Sequence, residues 1–335
     1  PGHFAADDAF GTQVGLESTG IYSEADTRGF SPLKAGNYRI DGIYFDPVAT
    51  LPGRLRASYG IRVGIAANDY PFPAPTGIVD NRLRSAGDKF VASLNLTKLQ
   101  YSGHLEELDF QIPLVKDHLS IVLGLGQADT VGGDGSRIPS RAVTVKPVIR
   151  AGGAEVSPFY TFVGLYDVHQ RPLFVTSGTL IPPLPPVSHY LGQDWAKGAT
   201  AMTNTGVTVR APLTTNWSMR GGLFFSQQIR KRNYTEVFSF SGPGNTATHR
   251  IISDPRQDNH SLSGEVQFAY RIAEKGKRMQ RLILGYRFRQ RQNEAGGSDF
   301  RSLGTIDITG FDPEPEPTFS YGPVNRGEVR QGAFL

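Results

Sequence analysis

The sequence predicts a mainly β protein: a partial transmembrane antiparallel β-barrel of about nine to ten strands, preceded by a small α/β domain. Three observations lead to this prediction. Apolar and polar residues alternate with period two from Lys89 onward, the connections between these segments alternate in length, and the Gly-rich first part of the chain lacks this pattern. We therefore expect one domain at residues 1–86 and a second at residues 87–335.

The alternating segments place apolar side chains on one face of each expected strand. In the segment that begins at Leu119, an apolar residue at every second position alternates with Ser120 and later with glycines. Successive side chains of a strand point to opposite faces, so each segment has one apolar and one polar face. The pattern recurs at residues 90–97, 107–114, 119–126, 143–149, 207–213, 262–272 and 281–289. We count nine strands and the start of a tenth.

The expected connections are sorted by length along the chain. Short connections alternate with long ones. The short connections are at 115–118, 151–155, 214–216 and 273–277, and the long ones are at 130–140, 169–203, 240–259 and 293–325. The connection at 100–104 is the exception, because it is short where a long one is expected. Outer-membrane barrels have short turns on the periplasmic side and long loops outside. A soluble β-rich module remains an alternative, because alternation also suits strands whose apolar faces pack against each other.

Composition and motifs exclude several classes of function. The 39 glycines and 23 prolines argue against a helical bundle, and the absence of Cys excludes a disulfide framework and thiolate metal sites. A net charge of +4 is too small to predict nucleic-acid binding. The sequence contains no nucleophile elbow, no zinc-protease motif and no P-loop. We therefore predict no enzyme, no cofactor and no resident metal.

Several short motifs follow one another in the first 86 residues. They are the segment 14–22, Arg28-Gly29-Phe30, Asp41-Gly42 within an expected strand at 37–44, Ile61-Arg62-Val63, and the segment 74–80. In order and spacing they resemble the plug of the TonB-dependent outer-membrane receptors of siderophore-receptor type. The sequence departs from the family pattern in two places. Gly64-Ile65 stands where the family has Arg-Gly-Pro, and residues 76–80 stand where the family has Gly-Gly-x-x-Asn.

The resemblance implies an architecture, a function and partners. The architecture would be an N-terminally truncated plug and about the first ten strands of a barrel of about 22. The function would be import of a scarce solute, foremost a ferric siderophore, across the outer membrane of a Gram-negative bacterium. The TonB–ExbB–ExbD complex would act through a TonB box expected upstream of residue 1, and the apolar faces would meet outer-membrane lipid and lipopolysaccharide. A porin or adhesin, and receptors for cobalamin, haem or oligosaccharide, remain alternatives.

Seven residues are candidates for substrate binding: Arg28 and Tyr44 in the plug, His189, Tyr190 and Trp195 in the connection 169–203, and Arg287 and Arg289 on the last long strand. An arginine ladder that continues to Arg291 would attract an anionic ferric chelate. Each candidate also has a structural interpretation. Arg28 could be buried in an ion pair, and Tyr44 and the loop aromatics could serve packing. For the ladder we favour a structural role, in which lumen arginines pair with plug carboxylates or outward ones bind lipopolysaccharide phosphates.

Overall fold

The fold is described from a computed structural model of the chain. The structure describes residues 3–8, 11–14, 30–67, 70, 77–176, 181, 187–273, 279–310 and 313–335, with the backbone alone at 3–14. The candidate residue Arg28 and most of the motif around it lie outside the described residues.

The first part of the chain forms a six-stranded mixed sheet, here called the small sheet, in the spatial order β2-β1-β5-β6-β3-β4. Its strands are β1 (His3–Asp8), β2 (Gly11–Val14), β3 (Tyr38–Ile40), β4 (Ile43–Tyr44), β5 (Arg56–Arg62) and β6 (Ile78–Leu83). Pro52-Gly53 favours a turn, and the turn leads directly into β5, which pairs with β6. Within the described residues before Gly87, helical structure is limited to the 3-10 segment Gly64–Ala67.

Thirteen further strands follow among the described residues. They are β7 (Val91–Lys98), β8 (His104–Val115), β9 (Leu119–Val131), β10 (Arg137–Ala151), β11 (Ala154–Val168), β12 (Leu173–Thr176), β13 (Gly198–Pro212), β14 (Trp217–Phe240), β15 (Thr246–Asp254), β16 (Gln257–Ala273), β17 (Met279–Ala295), β18 (Asp299–Asp307) and β19 (Asn325–Phe334). A 3-10 segment, Gln100–Ser102, links β7 to β8.

Ten of these strands form the large sheet, in the order β7-β8-β9-β10-β11-β13-β14-β16-β17-β19. Each strand is antiparallel to its neighbours. The mainly β class and an antiparallel sheet of nine to ten strands are therefore confirmed. No helix among the described residues is long and apolar enough to cross a membrane.

Three strands that the sequence analysis assigned to loops lie at the end of the large sheet where the long connections are. There β14, at 24 residues, continues past its neighbours, and its second half pairs with β12 and β15, while β15 pairs with β18. We call these strands, with residues 233–240 of β14, the extension. The prediction of long loops at 169–203, 240–259 and 293–325 is thus wrong in part, because each range contains one of these strands. The expected long loop at 130–140 is a turn at 132–136, because β9 and β10 are longer than the apolar pattern indicated.

The two faces of the large sheet differ in exposure. Apolar side chains on one face, the apolar face, have no covering layer within the described chain; Leu125 is 47% exposed and Leu284 is 53% exposed. Further exposed members of this face are Val143, Ile149, Tyr160, Leu223, Leu262, Phe268, Leu282 and Tyr286. The opposite, polar face is covered in its middle by the small sheet, where Ser226 and Glu265 are buried. The soluble alternative required apolar faces packed against each other, and these faces are open.

A mixed apolar cluster fixes the small sheet on the polar face. Phe159 of β11 and Phe224 of β14 are buried in the same cluster as Phe45, Leu51 and Ile61. The rings of Phe45 and Phe224 meet edge to face at 5.4 Å between centroids. Burying an aromatic side chain of this size contributes about 1.5–3 kcal/mol, so the two phenylalanines of the large sheet anchor the small sheet.

Candidate functional site

A fully buried ion pair joins the small sheet to the polar face. Arg39 on β3 donates from Nη1 to Oε2 of Glu265 on β16 at 2.9 Å, and neither side chain is exposed. The same carboxylate oxygen accepts the backbone N–H of Tyr44 at 3.0 Å, and Gln267 donates to the other oxygen. Burial lowers the pKa of Arg39, while the charge of Glu265 opposes that shift. The pair compensates two charges that would be costly to bury alone.

A second polar contact is centred on Asp46, which follows β4 and is buried. Its Oδ2 accepts a hydrogen bond from Ser261 at 2.7 Å, and its backbone N–H donates to Ser263 Oγ at 2.9 Å. Its Oδ1 lies 3.4 Å from Nη1 of both Arg289 and Arg291. The carboxylate therefore holds the segment after β4 against β16 and β17.

A third contact lies at the opposite side of the small sheet. Arg54 reaches Asp109 at 2.5 Å and Glu107 at 3.0 Å, both on β8, and Arg84 reaches Asp109 at 3.2 Å. Charge-assisted pairs thus tie the small sheet to both β8 and β16–β17. Arg39, Asp46 and Arg54 are not among the predicted site residues, because a polar residue carries no local signal of a partner that lies far along the chain.

Three of the predicted site residues line one cavity of about 480 Å³ between the small sheet and strands β17 and β19: Tyr44, Arg287 and Arg289. Lys34 adds another positive charge to its wall. The guanidinium of Arg287 lies over the Tyr44 ring, 5.3 Å from the centroid, and donates to the carbonyl of Gly36 at 3.3 Å. Burial, together with the charge of Asp46, raises the pKa of Tyr44 to about 12, so its hydroxyl stays protonated at neutral pH. The cavity can accept an anion.

The arginine ladder has two kinds of contact. Arg289 and Arg291 share the buried carboxylate of Asp46, as the favoured structural interpretation required. Arg287 lines the cavity, where its guanidinium lies over the Tyr44 ring and donates to the carbonyl of Gly36. Arg289 lines the cavity as well, so the structural and the ligand-binding interpretations overlap within the ladder.

The three loop aromatics lie apart from this cavity, beside the extension. Tyr190 stacks on His169 at 4.8 Å and donates to the carbonyl of Gln170 at 3.1 Å. Trp195 donates from Nε1 to the carbonyl of Glu314 at 2.8 Å and packs edge to face on Tyr234. These contacts account for both residues by packing.

His189 precedes Tyr190 and is partly buried. Its segment is docked on the turn 132–136, where Ser188 N donates to the carbonyl of Gly133 at 2.7 Å. The structure thus places the three loop residues beside the extension and the turn 132–136, and none of them lines the cavity of Tyr44 and Arg287.

A buried polar group sits below these aromatics. His249 on β15 lies 2.7 Å from Glu236 on β14, with Phe238 stacked on the imidazole at 4.3 Å. Gln193 N donates to the other carboxylate oxygen at 2.8 Å. Burial, then the charge of Glu236, raises the pKa of Tyr190. Within the described part of the chain, no group of three or more His, Cys, Asp or Glu side chains could hold a metal ion.

Several solved structures that resemble this fold are receptors for iron chelates or siderophores by name. The pyoverdine receptor FpvA of Pseudomonas aeruginosa PAO1, solved with pyoverdine bound, superposes with a TM-score of 0.70 at 14% identity, over 99% of this chain and 49% of that one. The open form of the ferric-catecholate import receptor Fiu of Escherichia coli K12 gives 0.68 at 14%, over 89% and 49%. BauA, the ferric preacinetobactin receptor of Acinetobacter baumannii, gives 0.66 at 14%, over 89% and 46%.

At these identities the similarity shows the fold, and the chain spans about half the length of each of these receptors. Neither a protein-family model nor a curated protein sequence matches the chain.

Proposed function

We propose that this chain is part of a TonB-dependent receptor that imports an anionic ferric siderophore across the outer membrane of a Gram-negative bacterium. In this proposal residues 1–86 are the plug, and residues 87–335 are the N-terminal part of the barrel wall. The observation that carries it is the arrangement of the two sheets: apolar side chains cover the open face, and the small sheet sits on the polar face through buried ion pairs. The fold similarity to siderophore receptors supports the same assignment.

The closed state follows from the contacts of the small sheet. Three ion pairs hold the plug against the wall: Arg39–Glu265, Asp46–Arg289 and Arg54–Asp109. Transport needs no covalent chemistry. Ligand contact and the force delivered by the TonB–ExbB–ExbD complex bias the plug toward a second arrangement, as a binding-coupled shift between two states. A path opens when these charge pairs exchange for water or for the ligand.

In the proposed mechanism the ligand binds in the cavity beside Arg287. Its wall holds Lys34, Arg287 and the hydroxyl of Tyr44, which together offer positive charge and a neutral donor. A cleft of one charge sign raises the local concentration of oppositely charged solutes. The aromatic residues Tyr190 and Trp195 would act at a distance, by fixing the shape of the outer loops.

A passive porin or an adhesin is the second candidate architecture. Such a barrel needs no domain on its polar face, whereas here that face carries a packed sheet with several ion pairs. Cobalamin, haem and oligosaccharide receptors remain alternatives for the substrate, and the charge of the cavity favours an anionic chelate over a neutral oligosaccharide.

The test is uptake of ⁵⁵Fe-labelled anionic and neutral chelates, and of radiolabelled cobalamin, by a deletion strain that carries the complete gene, grown under iron limitation, with and without functional TonB. We expect TonB-dependent uptake of at least one anionic ferric chelate. Uptake of cobalamin alone, or equal passage of small solutes with and without TonB, would refute the siderophore assignment. Fractionation of the same cells reports whether the protein is in the outer membrane.

A further inference from the structure

The polar face carries a second set of basic side chains that the cavity does not include. Arg210 on β13, Arg220 on β14, Arg271 on β16 and Arg281 on β17 lie on four adjacent strands, near the end where the connections are short. We call these four residues the arginine cluster. In the register of the sheet, Arg210 is directly opposite Arg220, and Arg271 is directly opposite Arg281.

The side chains of the cluster belong to the polar face. Arg220 donates to the carbonyl of Asp41 in the small sheet at 2.5 Å, and Arg210 lies 3.5 Å from the Asp41 carboxylate. Arg271 is six residues from Glu265, and Arg281 is six residues from Arg287. An even separation along a regular strand keeps side chains on the same face, and both Glu265 and Arg287 contact the small sheet.

Charge compensation within the described residues is incomplete. Asp41 contacts the cluster, and the charge of Asp80 also acts on Arg220. Glu155, which is opposite Arg210 in the register, is bound by Arg150 at 3.1 Å. Arg271 and Arg281 form no ion pair with a described carboxylate, and both are exposed. Like charges directly opposite each other destabilise a sheet. Two such pairs on neighbouring strands indicate a position that binds anions.

The cluster is continuous with the cavity of the candidate site. Arg281, Arg287, Arg289 and Arg291 are all on β17 with even spacing, so one strand carries basic side chains along about 33 Å of the polar face. Between them, Ile283 and Gly285 add no charge. A small multivalent anion that leaves the cavity toward the short turns would meet the cluster next.

We propose that the arginine cluster is a second, exit-side anion site, which receives the anionic solute after it leaves the cavity at Arg287. The inference rests on the proposed function for the direction of transport. The ligand class is a small anion with several carboxylate, catecholate, sulfonate or phosphate groups, because guanidinium groups bind such oxyanions with paired hydrogen bonds. An acidic peptide is the competing occupant and is one outcome of the test.

The experiment uses the protein from the complete gene, purified in detergent, and the fluorescent trianion 8-hydroxypyrene-1,3,6-trisulfonate as the probe. Binding is measured by fluorescence anisotropy in an Arg287→Gln/Arg289→Gln background, so that the cavity contributes little. Adding Arg271→Gln/Arg281→Gln should raise the Kd at least about five-fold. The matched control, Arg141→Gln/Arg230→Gln, removes the same charge from two exposed arginines outside the cluster and should change the Kd less than about two-fold.

Three results of the binding measurement would overturn the proposal: no saturable binding in the background variant, an equal loss in the control, or binding of an acidic peptide without binding of the trianion. Circular dichroism of each variant verifies the sheet, so that unfolding is not mistaken for lost binding. The uptake assay separates this inference from the proposed function. Absent uptake with intact probe binding refutes only the function. TonB-dependent uptake at the wild-type rate in Arg271→Gln/Arg281→Gln refutes only the exit-side site.

Discussion

Arg39 and Glu265, 226 residues apart in the chain, form an ion pair of 2.9 Å from which solvent is excluded on both sides. The contact joins β3 of the small sheet to the middle of β16, where Glu265 also accepts the N–H of Tyr44. Its position makes it the contact whose loss should most affect how the small sheet is held.

Glu265→Gln should release the small sheet from the polar face. Removing one partner leaves the Arg39 charge buried without compensation, and breaking a buried pair in this way costs about 3–5 kcal/mol. The measurement is hydrogen–deuterium exchange of peptides covering residues 38–50, whose protection should fall sharply. Glu328→Gln is the matched control, since the exposed Glu328–Arg330 pair should contribute at most about 1 kcal/mol. Equal exchange in the two variants would contradict the role given to Glu265.

Asp46→Asn should loosen the same segment less strongly. The amide keeps one acceptor for Ser261 but loses the charge that faces Arg289 and Arg291, and hydrogen bonds to charged groups contribute about 1.5–3 kcal/mol. Exchange at residues 44–50 is the measurement, with Asp88→Asn as the control on an exposed carboxylate. Unchanged protection in Asp46→Asn would show that the arginines do not depend on this carboxylate.

The free energy of unfolding should depend on pH through the Asp41 carboxyl group in the small sheet. Burial raises the pKa of its carboxyl group above the ordinary value, although the charge of Arg210 opposes the shift. A raised folded-state pKa gives stability that is fully present below the unfolded value of about 3.9 and is lost as pH rises through the folded value. The stability of the wild type relative to Asp41→Asn should therefore increase as pH falls. Urea unfolding followed at several pH values measures this difference, and a flat or opposite trend would contradict the buried carboxyl.

The docking of residues 187–190 should depend on Gly135. Its φ is +79°, and a Cβ there would lie 2.7 Å from the backbone nitrogen of Tyr190. Gly135→Ala should displace this segment, seen as faster limited proteolysis between residues 177 and 197. Gly152→Ala is the control, because its φ is also positive at +57° but a Cβ meets nothing within 4 Å. Equal cleavage in both variants would contradict the dependence of this segment on Gly135, since Gly152 lies in the turn at the other end of β10.

Local sequence pattern was sufficient to predict the strands of the large sheet. Period-two alternation around Leu119 and Leu284 marks which side chains share a face, and the structure leaves those apolar side chains exposed. Alternation did not reveal β12, β15 or β18, because these strands pair with an extended β14 and with each other, away from the main order of the sheet. Pairing between distant segments has no local signature.

The structure brings part of the candidate set together, and the binding role of these residues stays a prediction. Tyr44, Arg287 and Arg289 line one cavity, because the small sheet places β4 against the polar side of β17. The loop aromatics do not join them: Trp195 and Tyr190 are engaged in the extension. Arg39 and Asp46 were missed, since their partners on β16 are more than 200 residues away.

The orientation of the wall is the central claim, and spin-label accessibility along β17 tests it most directly. The chain has no Cys, so single Cys residues introduced at positions 282 to 287 can each be labelled with a nitroxide in the purified protein, reconstituted in lipid bilayers, once any Cys outside this chain has been replaced by Ser. We predict that collision with oxygen, which concentrates in hydrocarbon, alternates with period two and is highest at Leu282, Leu284 and Tyr286. Absence of alternation, or highest accessibility of those three positions to a water-soluble nickel complex, would contradict a wall whose apolar face meets lipid.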